Sequence, residues 1–183
     1  MALLESLKIP LGTEMPAFEL ADPDGTAYRS NELAGEKGLL VVFTCNHCPY
    51  AKAVWGRVAA LAKHAEGLGI GTVAINPNIN PNYPDDAPEQ MKERAADLDL
   101  TFPYLVDQKQ DTARAFKAQC TPDIYLFDGG KRLIYHGRID DNWQDESAVV
   151  REELREALDA LGAGRPVLKE QNPSMGCSIK WLD

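Results

Sequence analysis

The chain has 183 residues, 44% hydrophobic and 26% charged, with 19 basic against 28 acidic side chains and a formal net charge of −9. That length buries a core without disulfide or metal staples, and the negative surface excludes phosphate backbones and anionic lipid as natural partners, so neither nucleic acid nor membrane is expected. The start, MALLESLKIPLGTEMP, has no basic n-region and no long apolar segment, and no stretch approaches the roughly 20 apolar residues of a membrane span; a cytoplasmic protein is expected.

PAFELADPDGTAYRSNEL predicts a hairpin in which Phe18 and Leu20 alternate with polar residues around a DPDG turn. GLLVVFT is a continuous apolar, β-branched run, the pattern of a strand covered on both faces. From Tyr50 to Ala65 the spacing of Ala51, Val54, Val58, Leu61 and Ala62 predicts a helix, and IGTVAIN (Ile70 to Asn76) predicts a second buried strand. NPNINPNYPDDAP is a long Asn- and Pro-rich loop, after which Asp86 and Glu89 form a capping box for a helix ending near Leu98.

YLVD is a short strand or loop, and QKQDTARAFKA a third helix with Ala113 and Phe116 inward, joined by Lys117 or Ala118. TPDIYLFDGGKRLIYHGRI reads as two strands around Asp128-Gly129-Gly130. ESAVVREELREALDALGAG is an amphipathic helix with Val150, Leu154, Ala157, Leu158 and Leu161 toward the core. RPVLKEQNPSMGCSIKWLD is a tail without a clear period, in which Met175, Ile179 and Trp181 can pack back onto the body or onto a neighbouring subunit. Strands alternating with helices imply a parallel core sheet, and the late hairpin adds antiparallel strands.

Chemistry concentrates at FTCNHCPYA. Cys45 and Cys48 stand two residues apart, at the end of a central strand and the start of a helix. Free N–H groups and the dipole at a helix N-terminus favour a thiolate, lowering a cysteine pKa to about 3.5–7.5 from roughly 8.5. The expectation is an exposed, ionised Cys45 that attacks a substrate disulfide, assisted by His47, and a less exposed Cys48, one turn on, that resolves the mixed disulfide. Pro49 fits the first helical turn. Zinc sites use the same CxxC spacing but need two more ligands, and of the candidates His47, Cys120 and Cys177 none belongs to a second CxxC or HxxxH; no metal and no cofactor is expected. Pro122, opening a strand, suggests a tight, cis turn, and Cys120 two residues earlier is either a small buried hydrophobe or a redox-accessible thiol. Cys177 could come within reach of the pair as a further resolving thiol if the tail packs back.

Together these segments resemble a known family. A strand ending in CxxC at a helix start, with Thr-Pro opening a β-hairpin some seventy residues later, looks like the thioredoxin fold: an α/β architecture with a central mixed sheet flanked by helices. GTEMPAFELADPDGTAYRSNELAGEKGLLVVF resembles the AhpC/TSA and TlpA-like branch. FTCNHCPYAKA, YPDD, FPYLVDQKQ, CTPDIYLFD and PSMGCSIKW look like a bacterial subgroup of peroxiredoxin-like, thioredoxin-family proteins. The resemblance covers nearly the whole chain. It implies one thioredoxin-like domain over 1–183, with a hairpin extension at 10–35 and a C-terminal tail at 165–183.

It further implies Cys45 as attacking and Cys48 as resolving cysteine, and Pro122 as the cis-proline beside the site. Thr121, with Thr44 and Asn46, would face a substrate strand paired by β-augmentation. Its expected partners are a protein or low-molecular-weight disulfide and a thiol reductant. Thioredoxins carry an acidic residue beneath the site; here that position is Leu39, which leaves His47 or solvent as proton acceptor. A peroxidase acting through Cys48 or Cys45 is the alternative, although no Pro precedes Thr44 and no Arg stands in Cys120-Thr121-Pro122. A thiol metal-binding module without turnover is the third reading.

Overall fold

The computed structural model describes residues 3–182. In chain order the elements are β1 (Leu3–Glu5), β2 (Glu19–Ala21), β3 (Ala27–Arg29), α1 (Ser30–Leu33), β4 (Gly38–Phe43), α2 (Pro49–Gly67), β5 (Ile70–Asn76), α3 (Pro88–Asp97) and β6 (Tyr104–Val106). They continue with α4 (Asp111–Phe116), β7 (Cys120–Thr121), β8 (Asp123–Asp128), β9 (Leu133–His136), α5 (Glu153–Gly162) and β10 (Met175–Ser178).

The main sheet has seven strands in the order β3-β2-β6-β5-β4-β8-β9. β4, β5 and β6 run parallel, and β8 and β9 return antiparallel, as alternating strands and helices followed by a hairpin require. β4 is an interior strand, flanked by β5 and β8, and all six of its residues are buried. Leu40 and Val42 join one core with Val54, Trp55 and Val58 of α2 and Leu154 and Leu158 of α5, while Leu39, Val41 and Phe43 join the opposite core with Val73, Leu105 and Phe116. Each such side chain contributes about 1.5–3 kcal/mol on burial, which makes β4 a rigid mount for the CNHC loop at its C-terminal end. The mixed sheet flanked by helices is the thioredoxin fold.

A second, three-stranded sheet lies outside the first, in the order β1-β10-β7, all antiparallel. The tail is therefore not periodless: Met175–Ser178 is a strand inserted between the N-terminal segment and the two residues ahead of Pro122.

Three other sequence expectations change. Val150 is 90% exposed and precedes α5, which begins only at Glu153, so the inward face is Leu154, Ala157 and Leu158 with Leu161 at its margin. Lys117 adopts a left-handed backbone conformation that ends α4, leaving Ala118 as the buried residue. Asp86 does not cap α3: the helix starts from Ala87 with no side-chain cap, and the Asp86 carboxylate points the other way, into the site.

Candidate active site: a buried cluster of three thiols

The register of β4 on β8 sets Phe43 against Asp123, so the chain two residues further on comes level with Thr121. There the Cys45 sulfur lies 3.2 Å from Thr121 Oγ1, and the Cys48 sulfur 3.2 Å from the Thr121 carbonyl oxygen. The Thr121–Pro122 peptide bond is cis, as the sequence suggested. β10 completes the cluster. Cys177 is the register partner of Thr121, and its side chain packs against Cys48. Cys45, Cys48 and Cys177 pack as one group with Ala51.

The expectation of an exposed Cys45 is overturned. Cys45 and Cys48 are both fully buried, because β10 lies over the edge that the sequence pattern left open for a substrate. The charge also falls elsewhere. Helix α2 begins at Pro49 with Cys48 as its N-cap, so the positive end of the helix dipole lies at Cys48 rather than at Cys45. Cys48 is pulled down to about 5, first by the neighbouring Cys45, against the opposing effect of burial, with Cys177 and the start of α2 adding to the lowering. Cys45 is pushed up, first by burial, then by its hydrogen bond to Cys48 and by the nearby Asp86 charge, with the Thr121 hydroxyl working the other way. Cys177 is pushed up to about 12 by burial and by its bond to Cys48. The three sulfurs thus pack together, with Cys48 shifted toward the thiolate and Cys45 and Cys177 away from it.

The CNHC segment is fixed from below. Trp55 Nε1 donates to the Cys45 carbonyl at 3.2 Å, and the Tyr104 hydroxyl donates to Asn46 Oδ1 at 3.2 Å. Asn46 Nδ2 donates to the Asp85 carbonyl at 2.9 Å, and the Thr44 N–H extends the β4–β5 ladder to the Ile75 carbonyl at 2.9 Å. Thr44 and Asn46, expected to face substrate, are 3% exposed each and are committed to holding the loop.

Sequence reasoning missed Asp86. Its carboxylate is fully buried, accepts the Asn46 N–H at 2.6 Å, and bonds His47 Nδ1. His47 lies against Tyr83, ring centroids 4.5 Å apart and the planes tilted by 34°, and its Nε2 is buried without a partner among the described residues. The Cys45 sulfur, a ring nitrogen of His47 and an Asp86 oxygen all fall within 4.8 Å of one another. Where thioredoxins place an acid beneath the site, Leu39 is core here, and the acid arrives from the long loop instead. The doublet Asp85-Asp86 inside YPDD was the only trace of this in the sequence. Cys120 stands apart. Adjacent strand residues point to opposite faces, so with Thr121 turned toward Cys45 the Cys120 side chain turns away, and burial followed by the Asp123 charge pushes its pKa up.

Comparison with known proteins bears on this arrangement. Residues 11–136 match the model of the AhpC/TSA family. The chain belongs to that family. It is similar over its whole length to an uncharacterized conserved protein of Geobacillus kaustophilus, with 42% identity, 97% of that chain covered and a TM-score of 0.94. It is 31% identical over 99 residues to the thiol-disulfide oxidoreductase YkuV of Bacillus subtilis, a match that takes in 53% of this chain and 64%, just under two thirds, of that relative. The thioredoxin domain of a thiol-disulfide oxidoreductase from Bacteroides vulgatus superposes with a TM-score of 0.58 over 70% of this chain and 89% of that one, at 17% identity, a likeness of fold alone. Among the described residues no helix is long and apolar enough to cross a membrane.

Proposed function

We propose that the chain is a thiol-disulfide oxidoreductase whose working couple is Cys45 and Cys48, with the roles reversed from the sequence expectation. Cys48 is the attacking thiolate and Cys45 the resolving thiol. The observation that carries this is where the two sulfurs stand: Cys48 is the N-cap of α2, where the helix dipole favours a thiolate, while Cys45 lies buried beside the His47–Asp86 pair, and the direction of the acidity shifts, Cys48 down and Cys45 up, agrees with it.

The Cys48 thiolate attacks a substrate disulfide, forming a mixed disulfide and releasing one substrate thiolate. Cys45 then surrenders its proton. Asp86 accepts the Nδ1–H of His47, which keeps the unpartnered Nε2 as a free acceptor for it. The Cys45 thiolate attacks Cys48, the Cys45–Cys48 disulfide forms, and the second substrate thiolate leaves. The substrate gains two electrons and the protein loses two; a thiol reductant restores the pair. Thr121 and Pro122 border the reacting sulfurs, and a cavity of about 330 Å³ lined by Val54, Pro122, Arg138, Trp143 and Met175 runs beside them. A disulfide-bearing protein segment is the substrate this groove fits, and the cytoplasm, where thiols stay reduced, is the compartment in which such a reductase works.

The test uses serine variants in an insulin-reduction assay. Cys48→Ser is expected to be inert, and Cys45→Ser, made in a Cys177→Ser background so that no neighbouring thiol remains, to accumulate a mixed disulfide on Cys48. Trapping by Cys48→Ser with an inert Cys45→Ser overturns the reversal of roles, and full activity of both variants overturns the reading altogether.

Two other readings have an observation behind them. The single thiolate at a helix N-cap is also what a peroxidase needs, and peroxide consumption by Cys45→Ser but not Cys48→Ser, without insulin reduction by the wild type, would favour it. The convergence of Cys45, His47 and Asp86 would suit a cation, and stoichiometric zinc or copper in protein purified under reducing conditions would favour a binding module.

A further inference from the structure

The Cys45–Cys48 couple leaves Cys177 without a role, yet the fold goes to some length to deliver it. β10 is held on both edges, by β1 through Leu3 opposite Cys177 and by β7 through Thr121 opposite Cys177. Beyond the strand, the Ile179 N–H donates to the Gln119 carbonyl at 3.1 Å and the Lys180 N–H to Asn78 Oδ1 at 2.8 Å. Gln110, buried, bonds the Lys180 carbonyl at 2.8 Å and the Leu182 N–H at 2.7 Å, and Arg114 lies over the Trp181 ring. Ahead of the strand, Ser174 Oγ donates to the Gly137 carbonyl at 2.7 Å.

Residue 176 must be glycine for this docking, since a Cβ there would run into the Thr121 carbonyl oxygen. Directly opposed residues of an antiparallel pair present their side chains on the same face, so Cys177 shares the face from which Thr121 meets Cys45. Cys177 is 2% exposed and packs in one cluster with Cys45 and Cys48. The Cys48 sulfur thus has two thiols packed around it, those of Cys45 and Cys177.

We propose that Cys177 is a third redox-active thiol that exchanges with the oxidised couple, moving the disulfide from Cys45–Cys48 to Cys48–Cys177. This rests on the oxidoreductase reading and extends it. In the exchange the Cys177 sulfur attacks Cys48, the Cys48–Cys177 bond forms as the Cys45–Cys48 bond breaks, and the proton lost by Cys177 passes to the departing Cys45 thiolate. Cys177 is oxidised and Cys45 reduced by the same amount, so no further oxidant is consumed. The product ties β10 covalently over the site. The tail that must leave before a substrate can reach Cys48 is then locked shut until a reductant opens it. Cys120, facing away from the cluster, takes no part.

The test is disulfide mapping of the full chain after oxidation with diamide, acid quenching, alkylation and tryptic digestion. Trypsin separates Gly38–Lys52, which carries Cys45 and Cys48, from Glu170–Lys180, which carries Cys177, and from Ala118–Lys131, which carries Cys120. The expected result in the wild type is a crosslink between Gly38–Lys52 and Glu170–Lys180, assigned to Cys48 by fragmentation between the two cysteines, with Cys45 alkylated. In Cys177→Ser that crosslink is lost, Cys45 is no longer alkylated after oxidation, and the internal Cys45–Cys48 disulfide remains. In Gly176→Val, with every thiol retained, the crosslink falls at least ten-fold. An internal Cys45–Cys48 disulfide in the wild type with no crosslink to Cys177 overturns this proposal alone, as does a crosslink to Cys120 in its place. The absence of both disulfides overturns the oxidoreductase reading beneath it.

Discussion

Asp86 and His47 are bonded to each other across 39 residues of sequence, at the edge of the thiol cluster and out of contact with solvent at the carboxylate. A buried carboxylate is costly unless it is paired, and here it is paired with the one side chain that can relay a proton to or from Cys45. Replacing Asp86 with Asn keeps the shape, removes the negative charge and deprives the imidazole of its orienting acceptor. With 5,5′-dithiobis(2-nitrobenzoate) as substrate, the first release of coloured thiolate reports attack by Cys48 and the second reports resolution by Cys45. Asp86→Asn is expected to leave the first nearly unchanged and to slow the second about 100-fold at pH 7, recovering as pH rises and hydroxide replaces the lost base. Equal slowing of both phases would place Asp86 in binding rather than in proton transfer.

The Asp86 charge also raises the Cys45 pKa, so the same variant has a second, opposite signature. In a Cys48→Ser background, where only Cys45 of the couple titrates, thiolate absorbance at 240 nm should show a Cys45 midpoint that moves down in Asp86→Asn. The variant would make Cys45 more acidic and yet slower to resolve. A base in a mechanism, unlike a mere source of acidity, produces that combination.

For Cys48 the sign runs the other way. Donors stabilise its thiolate, so removing them must raise its pKa. The wild-type reduced protein should gain thiolate absorbance with a midpoint near 5. Cys45→Ala, which deletes the strongest donor, should move that midpoint upward, and Cys177→Ala should move it upward by less. A midpoint unmoved by either change would mean that the helix N-terminus alone holds the charge.

Much of the frame was legible because it is written locally. GLLVVF and IGTVAIN announce two buried strands through unbroken apolar runs, and Ala51, Val54, Val58, Leu61 and Ala62 do mark the buried face of α2. CNHC, Thr121 and Pro122 stand out in the sequence for the same reason, and the fold brings the two cysteines against Thr121. What escaped depends on partners distant in sequence. Met175–Ser178 has no alternating pattern and contains a glycine, and it is a strand only because β1 and β7 each leave an edge unpaired. Asp86 looks like a cap because an Asp three residues before a Glu ahead of a helix usually is one, and nothing nearby reveals a histidine 39 residues earlier. The sequence places the helix field at Cys45, whereas the helix begins at Pro49, so its N-terminal end lies at the second cysteine.

The tail strand makes access to Cys48 a conformational event. Gly176→Val puts a branched side chain where the Thr121 carbonyl already stands, which should expel β10 and cost about 1–3 kcal/mol of stability by overpacking. Cys48 is buried under β10 and shifted toward the thiolate, so on this reading burial limits its reaction with iodoacetamide. Alkylation of Cys48 at pH 7 should therefore accelerate at least ten-fold in the variant while the far-ultraviolet circular dichroism changes little. Unchanged alkylation with a lowered urea midpoint would mean that the site opens by a route other than the tail.

Trp55 carries the remaining prediction, because it connects the rigid helix to the reacting loop. Its ring is 2% exposed, packs edge-on against Tyr104 at 5.1 Å, and donates its indole N–H to the Cys45 carbonyl. Trp55→Ala removes both packing and donor and is expected to cost about 3–5 kcal/mol. Trp55→Phe keeps most of the packing but leaves a buried carbonyl unsatisfied, for a loss of about 1–3 kcal/mol. The freed carbonyl also frees the orientation of Cys45 with respect to His47 and Asp86. Trp55→Phe should therefore slow the second release of coloured thiolate several-fold and spare the first, since Cys48 is held separately by the start of α2. If the Trp55→Phe variant shows a lowered urea midpoint and both phases at wild-type rates, the indole supports the fold and has no part in aiming the resolving sulfur.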